Sequence, residues 1–177
     1  MRVLRVALTA AALIAATGAA SAAPDDIAML TTGSAKADRI VVLKGERQLV
    51  LMRGDRVLRV YRVALGRYPK GHKVKQGDAR TPEGAYTIDY RLDQGESRFY
   101  RALHISYPNG RDRNRAARMG VDPGGQIMIH GLPKDWTARD LGHPRLDWTQ
   151  GCIAVTNREI DEIWAMVSDG TRIEIHP

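Results

Sequence analysis

Trp148-Thr149-Gln150-Gly151-Cys152-Ile153-Ala154-Val155-Thr156-Asn157 sets a thiol on a glycine turn, follows it with a short apolar run and ends where a helix begins. Gly151 allows a tight turn, positive φ included, and leaves room for a substrate backbone to approach. A thiol on such a turn is presented outward, and the N–H groups beside it can receive a developing oxyanion. The same neighbours also suit a buried structural cysteine, which behaves as a small hydrophobe. They leave the two roles level. Just downstream, Thr156 is placed as an N-cap and Glu159 completes a capping box. Ile160, Ile163, Trp164 and Val167 follow at the i, i+3, i+4, i+7 spacing of one buried face. This predicts a helix over 156–167, stopped by Asp169-Gly170, and a last strand over 171–175.

Upstream, the pattern is strand-like. Residues 39–44 and 48–53 are β-type runs separated by Gly45-Glu46-Arg47, which reads as a hairpin. Residues 56–65 alternate basic and apolar side chains, as in a strand with one wet face. A loop rich in Gly, Lys and His covers 66–77, and strands are expected over 84–90 and 100–107. Ile127-Met128-Ile129-His130 reads as a short buried strand ending on a histidine, and 111–118 carries a weak helical signal. Strands dominate and no βαβ alternation appears. The expected fold is mostly β, a sheet or β-sandwich with one or two packed helices.

The chain has 177 residues, enough for one domain of ordinary size and too few for two sizeable ones. A single cysteine excludes an intrachain disulfide framework and a multi-cysteine zinc ribbon. Residues 1–22 read as a signal peptide. Arg2 and Arg5 precede an uncharged Ala/Leu/Ile-rich stretch, and Ala20-Ser21-Ala22 is a cleavage pattern that leaves Ala23 first. A retained membrane anchor is the competing reading of the same stretch. Small polar residues make 23–38 a linker, so the folded domain is expected over 39–176. Export places the protein in the periplasm or cell envelope, where the lone thiol has no intrachain partner.

A nucleophilic thiol needs a base or a positive neighbour, since a free thiol near pKa 8.5 is mostly protonated at neutral pH. Among five histidines, His176 sits next to the C-terminus and is expected to fray, and His72 lies in a polar loop and is expected to be exposed. His104 falls inside an alternating strand and reads as a satisfied core residue. His130 ends an apolar strand just before Gly131, where functional side chains often sit. It ranks ahead of His143, which precedes Pro144, and either ranks ahead of the rest. A zinc set of His130, His143 and Cys152 has spacings of 13 and 9 residues and matches no standard pattern. Asp140 and Asp147 are candidates to orient a histidine, and Asn157 to support the helix start.

The pair His130-Gly131, with Thr149-Gln150-Gly151-Cys152 and Asn157 beyond it, resembles the L,D-transpeptidase catalytic domain of the YkuD type. Thr81-Pro82-Glu83-Gly84 with Tyr86 is similar to that family's Thr-Pro-x-Gly-x-aromatic element. Gly71-His72-Lys73, His104 to Asn109 and Gly120 to Gly125 further resemble its YafK-like branch. The resemblance covers about 39 to 176. It implies a cysteine enzyme of the cell envelope that acts on peptidoglycan stem peptides with no metal or organic cofactor. Carried onto this chain, Cys152 is the nucleophile and His130 the proton acceptor and donor. Gly151, Gly131, Thr149, Gln150, Asn157 and His143 take binding, oxyanion or support roles. The acyl-thioester then passes to an amine. The alternatives are a hydrolase that releases wall-linked envelope protein or trims stem peptides, and a non-catalytic wall-binding module. Two positions depart from the pattern: Gln150 stands where most members have histidine, and Ala154 where many have arginine. A neutral alanine cannot do an arginine's work on a carboxylate.

Arg98 to Arg118 holds six arginines and one acid, Asp112. Export, few aromatics and no recognised motif argue against nucleic acid. The stretch is either a solvated face or a field that attracts carboxylate-rich wall peptides.

Overall fold

The computed structural model describes residues 35–177, so the signal peptide over 1–22 and most of the 23–38 linker lie outside the described residues. The end of that linker already joins the fold: Ala37 N–H donates to Met166 O at 2.9 Å and Asp38 N–H to Met52 O at 2.9 Å. The expected hairpin is β1 (Arg39–Leu43) and β2 (Gln48–Arg53), followed by β3 (Arg56–Arg62). Then come β4 (Gly84–Leu92), β5 (Ala102–Ile105), α1 (Gly110–Arg118) and β6 (Met128–His130). The chain ends with β7 (Ile153–Ala154), α2 (Asn157–Met166) and β8 (Arg172–His176). One eight-stranded sheet runs in the order β3-β2-β1-β8-β4-β5-β6-β7. Its pairs are antiparallel except β1–β8 and β6–β7. The sheet curls until its ends meet: Ala64, just past β3, exchanges hydrogen bonds of 3.0 and 2.8 Å with Ala154 of β7.

Burial alternates along β1, β2 and β8, whereas β5, β6 and β7 are buried throughout. Ile40, Val42, Leu49, Leu51, Ile88, Leu103, Ile105, Ile129, Ile153 and Ile173 are fully buried on the inner face. The apolar stripe of α2, Ile160, Ile163 and Met166, joins the same core. Thr156 caps α2 as its spacing predicts, with Glu159 returning the bond to Thr156 N at 2.8 Å. Helix α1 is better built than its sequence signal suggests. Asn109 caps it, and the Asp112 carboxylate accepts from Asn109 N and from Tyr86 Oη, both at 3.0 Å.

Three expectations need correction. Strand β3 does not bury one face: Val57 and Val60 are exposed and only Tyr61 is buried, because β3 is the outer strand and its register shifts opposite Leu51/Met52. His176 does not fray, since it pairs with Leu43. His72 is half-buried: Glu83 N–H donates to its Nδ1 at 3.0 Å, and its Nε2 lies 3.1 Å from Asp112 Oδ1.

The loop between β3 and β4 is held by buried polar bonds. Lys44, at the end of β1, donates to Gly71 O, Thr81 O and Glu83 Oε1 at 2.8 to 2.9 Å. Thr81 Oγ1 in turn accepts from Gly66 N at 3.0 Å, and Gly66 bridges Thr149. The threonine of the Thr81-Pro82-Glu83-Gly84 element therefore braces the segment that carries the cysteine turn. Thr156→Ala is expected to lower stability by about 1 kcal/mol, measured by urea unfolding. A loss within error would show that α2 needs no cap.

Candidate active site

Strand pairing brings the two chemically useful side chains to one face. In the parallel pair β6–β7, Ile129 lies opposite Ile153 and His130 opposite Ala154. Paired residues share a face and successive residues alternate. Ile129 and Ile153 point to the core, so His130, Ala154 and Cys152 point away from it. His130 and Cys152 line one cavity of about 190 Å³, together with Arg98, Phe99, Pro133, Trp148, Thr149 and Gln150.

The cysteine turn is held by Thr149. Its Oγ1 accepts from Gly151 N at 3.1 Å and donates to Cys152 O at 2.8 Å. Gly151 has φ 131°, and a Cβ there would sit 2.6 Å from Arg80 O, so both conformation and space require glycine. Cys152 Sγ lies 3.6 Å from Gln126 O. Burial raises the thiol pKa, which the Met128 N–H and the positive fields of Arg98 and Lys73 only partly offset.

His130 is fully buried. Its Nδ1 sits 2.6 Å from Gly131 O, which requires the proton on Nδ1 and leaves Nε2 as an acceptor without a partner among the described residues. The ring lies flat on Phe99, centroids 3.5 Å apart, and meets the Trp148 ring edge-on at 5.8 Å. Burial lowers its pKa to about 4, so the imidazole is neutral at pH 7. The thiol and the imidazole therefore each rest neutral at pH 7. Asn157 supports this corner: its Oδ1 accepts from Leu132 N at 2.8 Å, and a Cβ on Gly131 would sit 2.8 Å from that oxygen.

The other candidates lie elsewhere. His143 is buried against Trp148, with centroids 6.5 Å apart, and is not among the cavity-lining residues. Asp147 binds Arg47 at 2.8 Å and Leu65 N at 2.9 Å, and Asp140 binds Thr137, so neither orients a histidine. The orienting acceptor for His130 is a main-chain carbonyl, which side-chain reading could not reveal. His104 shares its face with His130, but its Nδ1 is held 2.7 Å from Asp89 Oδ1. Among the described residues, no three His, Cys, Asp or Glu side chains gather as metal ligands. Ala154 is fully buried, its main chain bonded on one side to Ala64 and paired on the other with His130. Arg98, Phe99 and Trp148 were not singled out for this site, because an arginine and two aromatics carry no spacing signature.

Comparison with known proteins follows the same region. The family model described as the L,D-transpeptidase catalytic domain (YkuD) matches residues 37–175. The putative L,D-transpeptidase YafK of Escherichia coli K12 is 35% identical over 98 residues, 55% of this chain and 32% of that protein. The match thus spans about a third of the relative's length. Among solved structures, the helical cell shape determining protein Pgp2 of Campylobacter jejuni aligns with TM-score 0.59 and 22% identity. That alignment covers 82% of this chain and 49% of Pgp2. An L,D-transpeptidase of Xylanimonas cellulosilytica gives TM-score 0.53 and 18% identity over 87% of this chain and 70% of that one. These structures share the fold.

Because His130 is buried neutral, the unfolded chain takes up a proton below pH 6.5 that the native chain refuses until about pH 4. Native stability should therefore fall across that window, by roughly 3 kcal/mol from this group. Urea unfolding of wild type and His130→Gln at pH 7 and pH 4 should show wild type losing that much more than the variant. An equal loss would mean that the imidazole is already charged in the fold.

Proposed function

The chain belongs to the L,D-transpeptidase catalytic domain family, and from that premise we propose that Cys152 and His130 carry out acyl transfer on a peptidoglycan stem peptide in the cell envelope. The observation that carries this reading is the shared cavity, which Cys152 and His130 both line, His130 with its Nε2 uncommitted. The signal-like residues 1–22 support an envelope location.

The steps follow from the two neutral groups. His130 Nε2 takes the Cys152 proton as sulfur attacks the carbonyl at the L-centre of the diamino acid. Gly131 O stabilises the imidazolium through Nδ1–H. The carbonyl oxygen gathers negative charge at the Gly151-Cys152 turn, where the Gly151 N–H is already engaged by Thr149 and the Cys152 N–H receives it. The C–N bond breaks, His130 returns its proton to the departing amine, and D-alanine leaves. An incoming amine then attacks the thioester, gives its proton to His130, and releases Cys152 as thiol. Where water takes the place of the amine, the same steps hydrolyse the peptide. Resting neutrality keeps the thiol out of side reactions, since little thiolate exists until substrate is in place.

A carbapenem is expected to add one mass increment to the protein, and Cys152→Ala to abolish it. An adduct that persists in the variant would remove the nucleophile from this reading. His130→Ala should slow acylation about 10²- to 10⁴-fold, whereas His143→Ala should change it less than tenfold. The opposite order in stopped-flow acylation would give the proton transfer to His143.

A further inference from the structure

Three segments that the chemistry at Cys152 does not use converge on a second cavity. It measures about 700 Å³ and lies between α1 and the start of β4. None of its lining residues lines the Cys152 cavity. His72, Glu83 and Asn109 bring to it the Gly71-His72-Lys73 element, the Thr81-Pro82-Glu83-Gly84 element and the stretch that enters α1. Tyr107 lies beneath, its ring edge-on to His72 at 6.4 Å and to Tyr86 at 5.9 Å. The acids of this cavity are already engaged. Glu83 binds Lys44 Nζ at 2.8 Å. The Asp112 carboxylate accepts from Tyr86 Oη and Asn109 N, and lies 3.1 Å from His72 Nε2. The first N–H groups of α1 are spent on Asn109 Oδ1. The cations of the helix are not spent. Arg111 and Arg115 stand about one turn apart on α1 and both line the cavity. Among the described residues neither guanidinium has an ion pair or a hydrogen bond, whereas Arg113 between them donates to Pro108 O. The positive field of Arg115 reaches His72, Tyr86 and Tyr107. Burial lowers the His72 pKa and keeps the ring neutral at pH 7. With Glu83 balanced by Lys44, two guanidinium groups face the single carboxylate of Asp112, and the cavity is left net positive.

We infer that this cavity is a second binding site, in which Arg111 and Arg115 hold a carboxylate of a wall peptide other than the one acylated at Cys152. The inference rests on the peptidoglycan reading proposed above. The volume falls within the roughly 300–1,000 Å³ of pockets that enclose small ligands, so the cavity takes a short peptide and not a lone ion. A planar fork of donors matches a carboxylate in two hydrogen bonds. The cavity is also near the reaction. Arg80 O packs against Gly151, and Glu83 follows Arg80 by three residues, a length of chain that spans at most about 11 Å. Neighbouring stem peptides of one polymer can therefore occupy the two sites together, and the second contact adds avidity for the wall over a single soluble fragment.

The test is co-sedimentation of the Cys152→Ala protein with insoluble peptidoglycan sacculi, either native or with their carboxylates converted to amides. Native sacculi should bind, and amidation should weaken binding about ten- to a hundredfold. Adding Arg111→Gln and Arg115→Gln together should weaken binding to native sacculi by a similar factor and remove most of the sensitivity to amidation. Asn114→Trp fills the cavity with both charges kept, and it should weaken binding to native sacculi as well. Arg56→Gln with Arg59→Gln takes the same charge from exposed positions of β3, outside the cavity, and should change binding by about threefold at most. Equal losses in the two double variants, or binding that ignores Arg111 and Arg115, would overturn the inference. Carbapenem labelling of the intact enzyme reads the catalytic proposal separately. A labelled enzyme whose sacculus binding ignores the two arginines loses the second site alone. Arginine-dependent binding by a protein that takes no label keeps the site and removes acyl transfer.

Discussion

The register of two very short strands governs everything at this site. Ile129 must pair with Ile153 for His130 and Cys152 to share a face. A slip of one residue would turn the thiol toward the core and expose isoleucine in its place. The register is protected by what lies on the other side, because Ile129 and Ile153 are both fully buried and contribute to one core. Each is worth ~2 kcal/mol or more in burial. The same apolar packing that stabilises the domain therefore aligns its chemistry.

Burial also decides the electrostatics. A histidine packed between Phe99 and Trp148 has no water to stabilise its charge, and the one polar atom offered to it is the carbonyl of the next residue. That carbonyl favours the protonated ring but is outweighed by desolvation. The thiol is pushed the opposite way by the same cause. Two shifts of opposite sign keep both groups uncharged at neutral pH. The arrangement differs from a thiolate–imidazolium pair, which stores its charge beforehand and is open to oxidants.

Much of this was legible in the residues. The Thr156/Glu159 box and the α2 stripe are local signals whose physics needs no tertiary context, and they appear as read. The β1–β2 hairpin and the strand ending at His130 are local in the same sense. What escaped depends on contacts between distant segments. The alternation in 56–62 looked half-buried, yet on an outer strand with a register shift only Tyr61 is buried and Leu58 partly so. His72 looked like loop surface until α1 brought Asp112 against it from 40 residues away. Asp147 and Asp140 had the right chemistry to orient a histidine, but each was already engaged by closer donors. The resemblance to a known family supplied the pairing of His130 with Cys152. Residue types and spacings alone left the cysteine's role level between two readings.

Closure of the curled sheet has a mechanical consequence. Strand β7 has two residues, too few to hold itself, and draws its hydrogen bonds from β6 on one side and from Ala64 on the other. The segment at Ala64 follows directly from the β2–β3 hairpin, far from the cysteine along the chain. Loosening that hairpin would fray the seam and let the reactive turn drift before the domain as a whole came apart. Hydrogen exchange at the Ala154 amide would therefore report on the integrity of the N-terminal strands.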